Sequence, residues 1–440
     1  MFADKLRGSV GIRLIIISSI SFALLIPTFM IQDLIREREM TRNNAILEVS
    51  EKWGGKQLLS GPLLIIPLKQ HHKDDKGNVT TSIQYANFLP DDLLINGDVT
   101  PEIRYRGIYE VVLYNSRLNV SGMFSFPELK DLDFPQKEIM WKDAFLAFGI
   151  TDMKGIKEKI KIKWNDSELT ANPGIVSNDV LSSGVSTKVK LDEAKKNYTF
   201  SFNVDLNGSQ DLKFIPVGKE TRVILSSSWD TPSFQGEFLP VKRDVSKNGF
   251  TAEWKVLQLN RNYPQKWIGK HYEIYPSAFG VDFLLPVDEY QKTTRTVKYA
   301  LLFIVLTFMS FFVIEILNKK SIHPIQYLLI GFALVLFYTL LLSFAEHIAF
   351  GYSYLIASSC TVLMITAYSQ SVLSNKIISC IIFGILAILY GFLYILLQLE
   401  DYALLLGSTG LFVILGIFMY LTRKIDWYTA MKIDRINNKV

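Results

Sequence analysis

The sequence predicts an α + β membrane protein. Six transmembrane helices, one N-terminal signal anchor and five near the C-terminus, hold between them a large, mainly antiparallel, sandwich-like β domain. Three observations lead there. Residues 33–298 contain 36 Lys+Arg and 35 Asp+Glu, the balance of a water-exposed domain. Residues 299–422 are almost free of charge outside short junctions, as a membrane bundle must be. Between the apolar regions the pattern turns to β-branched and aromatic residues interleaved with polar ones.

Residues 14–32, LIIISSISFALLIPTFMIQ, form nineteen positions without a charge. At ~1.5 Å per residue they nearly cross a hydrocarbon core of roughly 30 Å. Lys5, Arg7 and Arg13 precede them, as in a signal peptide. The run is too long for a cleaved signal, and no small-x-small site follows it. An uncleaved signal anchor is expected, with residues 1–13 cytoplasmic. Residues 33–53, DLIREREMTRNNAILEVSEKW, are charged, good helix formers; they extend this helix as a stalk until Gly54-Gly55 stops it.

Beyond the stalk, GPLLIIPLKQ, HHKDDKGN and VTTSIQYANFLP (61–90) read as strand, turn, strand. IRYRGIYEVVLYNSRLNVSGMFSF (103–126), YTFSFNVDLNGS (198–209), TRVILSSSW (221–229) and TAEWKVLQLN (251–260) continue in the same style. FLPDDLLINGDVTPE at 88–102 echoes FLPVKRDVSKNGFTAE at 238–253, which raises a duplicated β unit. SWDTPSFQGEFLP at 228–240 concentrates Trp229, Phe234 and Phe238 around Pro232, Gly236 and Pro240. The prolines make it a connection and not a central strand. Its aromatics suit either a rigid corner covering the sandwich end or a partner-binding surface.

Five further spans are expected near 299–317, 324–345, 348–373, 377–399 and 402–422, joined by tight turns. Pro324 suits a first helical turn, where its missing N–H costs nothing. Lys5, Arg7, Arg13, Lys319, Lys320, Lys376, Arg423 and Lys424, with Lys432, Arg435 and Lys439 in the 423–440 tail, cluster at one set of span ends. The opposite short turns, Glu346-His347 and Glu400-Asp401, hold no Lys or Arg. This bias places both termini in the cytoplasm and residues 33–298 outside. Trp427 and Tyr428 read as an interfacial anchor for the last helix. The net charge of +5 gathers beside the spans, so nucleic acid is not an expected partner. Cys360 and Cys380 lie inside spans, and no disulfide framework is expected in the outer domain.

Candidate chemistry is sparse. His71 and His72 with Asp74 and Asp75 sit at a hairpin tip, where solvated side chains hold a fixed metal geometry poorly. No HExxH, GxSxG or P-loop occurs. Neither catalysis, a cofactor, a metal nor a small-molecule substrate is therefore expected. Glu315 is the costliest residue inside a span, with Lys319, Lys320 and His323 close in sequence. It reads either as a structural ion pair or as a functional carboxylate. Ser353, Ala357 and Thr361, and likewise Gly384 and Gly391, recur at spacings that suit close helix packing.

Several long blocks resemble the CreD family of bacterial inner-membrane proteins. They are SGPLLIIPL (60–68), RGIYEVVLYNSRL (106–118), WDTPSFQGEFLPVKRDVSKNGFTAEW (229–254), VDEYQKTTRTVKYALLFIVLTFMSFFVIE (287–315), HPIQYLLIGFALVLFYTLLLSFAEH (323–347) and DYALLLGSTGLFVILGIFMYLTRKIDWY (401–428). Residues 128–200 resemble the family least. The resemblance implies a role in envelope integrity and tolerance to E-group colicins, under a two-component regulatory system, and offers no catalytic residues to carry over. The reading that follows is a non-enzymatic inner-membrane protein acting through a periplasmic β domain on envelope proteins, with the lipid bilayer as its other partner. Trp229, Phe234, Phe238, Glu315 and His323 are the candidate functional or contact residues. The alternatives are a transporter or channel component, or a membrane sensor that signals through a partner.

Overall fold

A computed structural model describes residues 10–73, 79–127, 138–192, 194–270, 272–283, 289–318, 322–399 and 402–423. The chain divides into two compact units: Arg42–Pro286, and Met1–Thr41 with Val287–Val440.

The first unit is built of strands. In chain order they are β1 (Gln57–Lys73), β2 (Val79–Phe88), β3 (Asp92–Arg106), β4 (Tyr109–Ser125), β5 (Phe145–Ile150) and β6 (Lys161–Trp164). Next come β7 (Ser167–Thr170), β8 (Asn172–Pro173), β9 (Gly184–Lys188), β10 (Asn197–Ser209), β11 (Asp211–Phe214) and β12 (Glu220–Ser227). The last are β13 (Pro232–Gly236), β14 (Lys242–Ser246), β15 (Gly249–Leu257), β16 (Lys266–Ile268) and β17 (Phe279–Phe283). Among the described residues one sheet has eight strands, in the order β14-β15-β12-β3-β4-β10-β6-β7. The other follows β13-β17-β11-β1-β5-β9-β8, with β2 on β1 and β16 on β2. Pairing is antiparallel except at β1–β11 and β3–β12, which are parallel.

Strict alternation explains why these strands share one core. In β10 the residues Tyr198, Phe200, Phe202, Val204 and Leu206 are buried, and their neighbours face away. They join Trp254, Tyr114, Phe124, Phe148, Phe214 and Phe279 in a single cluster fed by both sheets. Each such side chain contributes about 1.5–3 kcal/mol on burial. The echo between 88–102 and 238–253 does not mark a duplicated unit. Asn96-Gly97 lies inside β3, opposite Asn119 and Leu118, whereas Asn248-Gly249 turns the β14–β15 hairpin. Asn-Gly is a turn signal when flanking residues can pair back, and β3 pairs onward without turning.

The second unit is helical. Its helices are α1 (Val10–Ala23), α2 (Leu25–Trp53), α3 (Glu289–Lys298), α4 (Ala300–Leu317), α5 (Pro324–Ala345), α6 (Phe350–Leu373), α7 (Lys376–Gln398) and α8 (Ala403–Thr422). α2 reaches Trp53, so its last twelve residues belong to the β unit. Among the described residues six helical stretches are long and apolar enough to cross a membrane. Sequence patterning assigns 289–298 to the water-exposed domain, but this stretch groups with the bundle. It forms the amphipathic α3, which buries Tyr290, Thr293, Thr296 and Val297. The small residues divide by face. Ser353, Ala357 and Thr361 of α6 are buried at helix contacts. Gly384 and Gly391 of α7 are not explained by close packing, because a Cβ at either position would meet nothing within 4 Å.

Candidate functional site

Glu315 ends the apolar run of α4 and is 2% exposed. Arg13 Nη1, from α1, donates to Glu315 Oε1 at 2.9 Å, and the Ile322 N–H reaches the same oxygen at 3.3 Å. The Tyr327 hydroxyl, from α5, donates to Oε2 at 2.8 Å. Both carboxylate oxygens are thus engaged, one by a cation. A buried carboxylate is tolerable only when paired and hydrogen-bonded in this way. The result is a clasp joining α1, α4, α5 and Ile322, just before α5. His323 takes no part in it: its Nδ1 accepts from the Ile325 N–H at 3.3 Å and its own N–H donates to Gln326 Oε1 at 2.8 Å. This reciprocal pair caps α5, with Pro324 in the first turn. Lys319 and Lys320 lie outside the described residues.

At the other end of the bundle a second polar junction forms around Glu346. Tyr290 of α3 donates to Glu346 Oε1 at 3.1 Å, and Arg38 Nε lies 3.8 Å away. Glu289 Oε1 accepts from the Phe350 N–H at 3.3 Å. Sequence reasoning allowed an ion pair at Glu315 without finding its partners, and it missed the junction at Glu346. Their partners lie far apart in the chain, Arg13 and Glu315 by 302 positions.

In the β unit, residues 228–240 carry the chain from one sheet to the other and back. β12 belongs to the eight-stranded sheet, β13 is an edge of the other and pairs with β17, and β14 returns to the first. Phe234 meets the rings of Phe250 and Trp254 at 5.6 Å each, edge to face. Phe238 packs likewise on Phe279 at 6.0 Å, and its carbonyl accepts from Trp254 Nε1 at 3.2 Å. Trp229 sets its ring against Phe283, and its Nε1 donates to the Thr231 carbonyl. All three aromatics are partly buried against the core. Gly236 has φ +107°, and a Cβ there would lie 2.2 Å from the Ala278 carbonyl oxygen.

Other charges of this unit have structural partners. Arg261 is 8% exposed; it donates to the carbonyls of Tyr263, Val217 and Gly218 and to Gln265 Oε1. Burial depresses its guanidinium pKa. Lys213 lies between Asp211, at 3.2 Å, and Asp282, at 3.3 Å. Burial raises the Asp211 carboxyl, and Lys213 only partly offsets it. Burial also pushes Asp91 up, but the hydrogen bonds from Lys219 and Ser125 outweigh it and hold the carboxyl below its ordinary value. His71 Nδ1 is 3.0 Å from Thr81 Oγ1, and its Nε2 is 4.0 Å from Glu138. Asp74 and Asp75 lie outside the described residues, as do Trp427 and Tyr428. Among the described residues no three His, Cys, Asp or Glu side chains converge to hold a metal.

The family model described as Inner membrane protein CreD matches residues 9–428, and so spans both units. The chain belongs to the CreD family. Inner membrane protein CreD of Escherichia coli (strain K12) is 35% identical to it over 414 residues, covering 92% of this chain and 91% of that protein. CreD membership and six apolar helices make this a multi-pass protein of the inner membrane. The matched region of the CreD model includes the α1–α4–α5 clasp and the aromatic corner alike.

Proposed function

We propose that the protein supports the integrity of the cell envelope under stress, including attack by bacteriocins, as a non-enzymatic membrane protein. It acts through the β unit, which faces the periplasm, while both termini stay in the cytoplasm. The observation that carries this reading is CreD-family membership across both units, membrane bundle and β domain together. The charge bias at the span ends supports the orientation; Lys292, Arg295 and Lys298 do not oppose it, because they end a loop too long to count.

The non-enzymatic reading is supported by the chemistry of the buried charges. Glu315, Arg261 and Lys213 each hold two or more neighbouring groups in place, which is structural work. A transporter gated by Glu315 would need that carboxylate to release its partners, and it has three donors to lose. Envelope proteins are the partners this reading calls for.

The test is deletion of the gene followed by a sensitivity panel of detergent, bacteriocin and cell-wall antibiotics. Raised sensitivity to at least one agent, restored by the intact gene, is expected. Sensitivity unchanged across the panel would overturn the proposal.

A further inference from the structure

A groove of about 780 Å³ lies between α6 and α7, open on the outside of the bundle. That size is within the ~300–1,000 Å³ typical of small-molecule sites. Gly351, Tyr352 and Tyr394 line one end of it, and Val362, Leu363 and Phe383 the other. From Gly351 to Leu363 the groove extends about 18 Å at the helical rise. It therefore covers little more than half of a hydrocarbon core of roughly 30 Å. A partner helix would need a seat across the whole core, whereas an acyl chain occupies one leaflet.

The tyrosine end lies beside α3. Lys292 sits 5.7 Å over the ring of Phe350, next to Gly351. Arg295 Nη2 donates to the Leu399 carbonyl, at 3.3 Å, just past the end of α7. Among the described residues no carboxylate is paired with Lys292, although Glu289 and Glu346 lie at the same end of the bundle. No cation is among the described residues lining the groove itself, but tyrosines at one end, with these two cations on the neighbouring α3, and apolar residues at the other end follow the gradient of a phospholipid, from headgroup to chain. The outward-facing Gly391 keeps the groove open at a point where a side chain as large as leucine would project into it.

We infer that this groove is a binding site for a phospholipid with an anionic headgroup, its acyl chain lying between α6 and α7 and its phosphate beside Lys292 and Arg295. The site is tested on the full-length protein in phosphatidylethanolamine vesicles containing phosphatidylglycerol with a photoactivatable acyl chain. Adducts are expected on residues 349–363 and 383–394. The same photoactivatable chain on phosphatidylethanolamine should label these segments more weakly.

Lys292→Gln should lower labelling by phosphatidylglycerol about fivefold, the effect of one interfacial cation, and labelling by phosphatidylethanolamine by less, because its ammonium offsets part of the charge on the phosphate the two lipids share. Gly391→Leu should lower labelling by both lipids; since a Cβ there meets no neighbour, the variant is expected to keep its melting temperature. Adducts spread evenly over the spans, or equal labelling by the two lipids, would overturn the site. So would a Gly391→Cys variant that crosslinks efficiently to a second copy or to another membrane protein, since a helix would then fill the groove.

Discussion

Glu315 shows how one residue sets the terms for a helix bundle. A carboxylate near the end of an apolar helix is expensive, and the expense is offset by three donors from different elements. Removing one partner strands the other, so Glu315→Gln and Arg13→Gln should each lower stability in detergent, by about 1–3 kcal/mol given that Arg13 is partly exposed. The double variant should lose clearly less than the sum. Additive losses in a thermal-melt double-mutant cycle would show that the pair contributes no coupling. Asp91 makes a matching case in the β unit. Its folded value lies below the ordinary 3.8, so its stabilisation is complete above that pH and is lost as pH falls through the folded value. Denaturant melts followed by tryptophan fluorescence should find Asp91→Asn less stable than the parent at neutral pH, with the gap closing in acid. A gap that is the same at every pH would rule this linkage out.

At the scale of elements, the corner at 228–240 joins the two sheets. Its positive-φ glycine and inward aromatics act together: Gly236 lets β13 run against the Ala278 carbonyl, and this aims Phe234 and Phe238 at the core. Gly236→Ala should destabilise the protein by about 1–3 kcal/mol through strain and steric clash. Phe234→Ala should cost a similar amount, because half-buried rings lose less than the ~3–5 kcal/mol of fully buried ones. If both variants melt like the parent yet no longer protect the envelope, the corner is a partner surface and not a joint. Proline and glycine positions made the connection legible in sequence. That β13 would leave one sheet for the edge of the other was not legible, since five mostly half-exposed residues carry no clear alternation. Likewise, the four- and seven-residue spacings in α6 and α7 look equivalent on paper. One faces a neighbouring helix and the other faces open space.

For the molecule as a whole, the proposed orientation gives a direct expectation. With Cys360 and Cys380 replaced, a membrane-impermeant maleimide added to spheroplasts should label Lys247→Cys, in the exposed β14–β15 hairpin, and leave Asn375→Cys, between α6 and α7, unlabelled until the membrane is opened. The reverse pattern would invert the topology and remove the periplasmic assignment of the β unit.

The sequence by itself determined that six stretches are apolar enough to span a membrane, that a large β-rich, charge-balanced domain lies between the first and second, and which strands alternate. Hydropathy and period-two alternation are local sums over neighbouring residues, so a single chain displays them openly. Tertiary structure alone decided the parallel closures β1–β11 and β3–β12, the crossing of β13 between sheets, the siding of α3 with the bundle, and the union of Arg13 with Glu315. Each of these depends on which distant surface a segment meets. Many partners satisfy the same local pattern, and the choice among them rests on packing and on the pairing of buried polar groups across the whole fold.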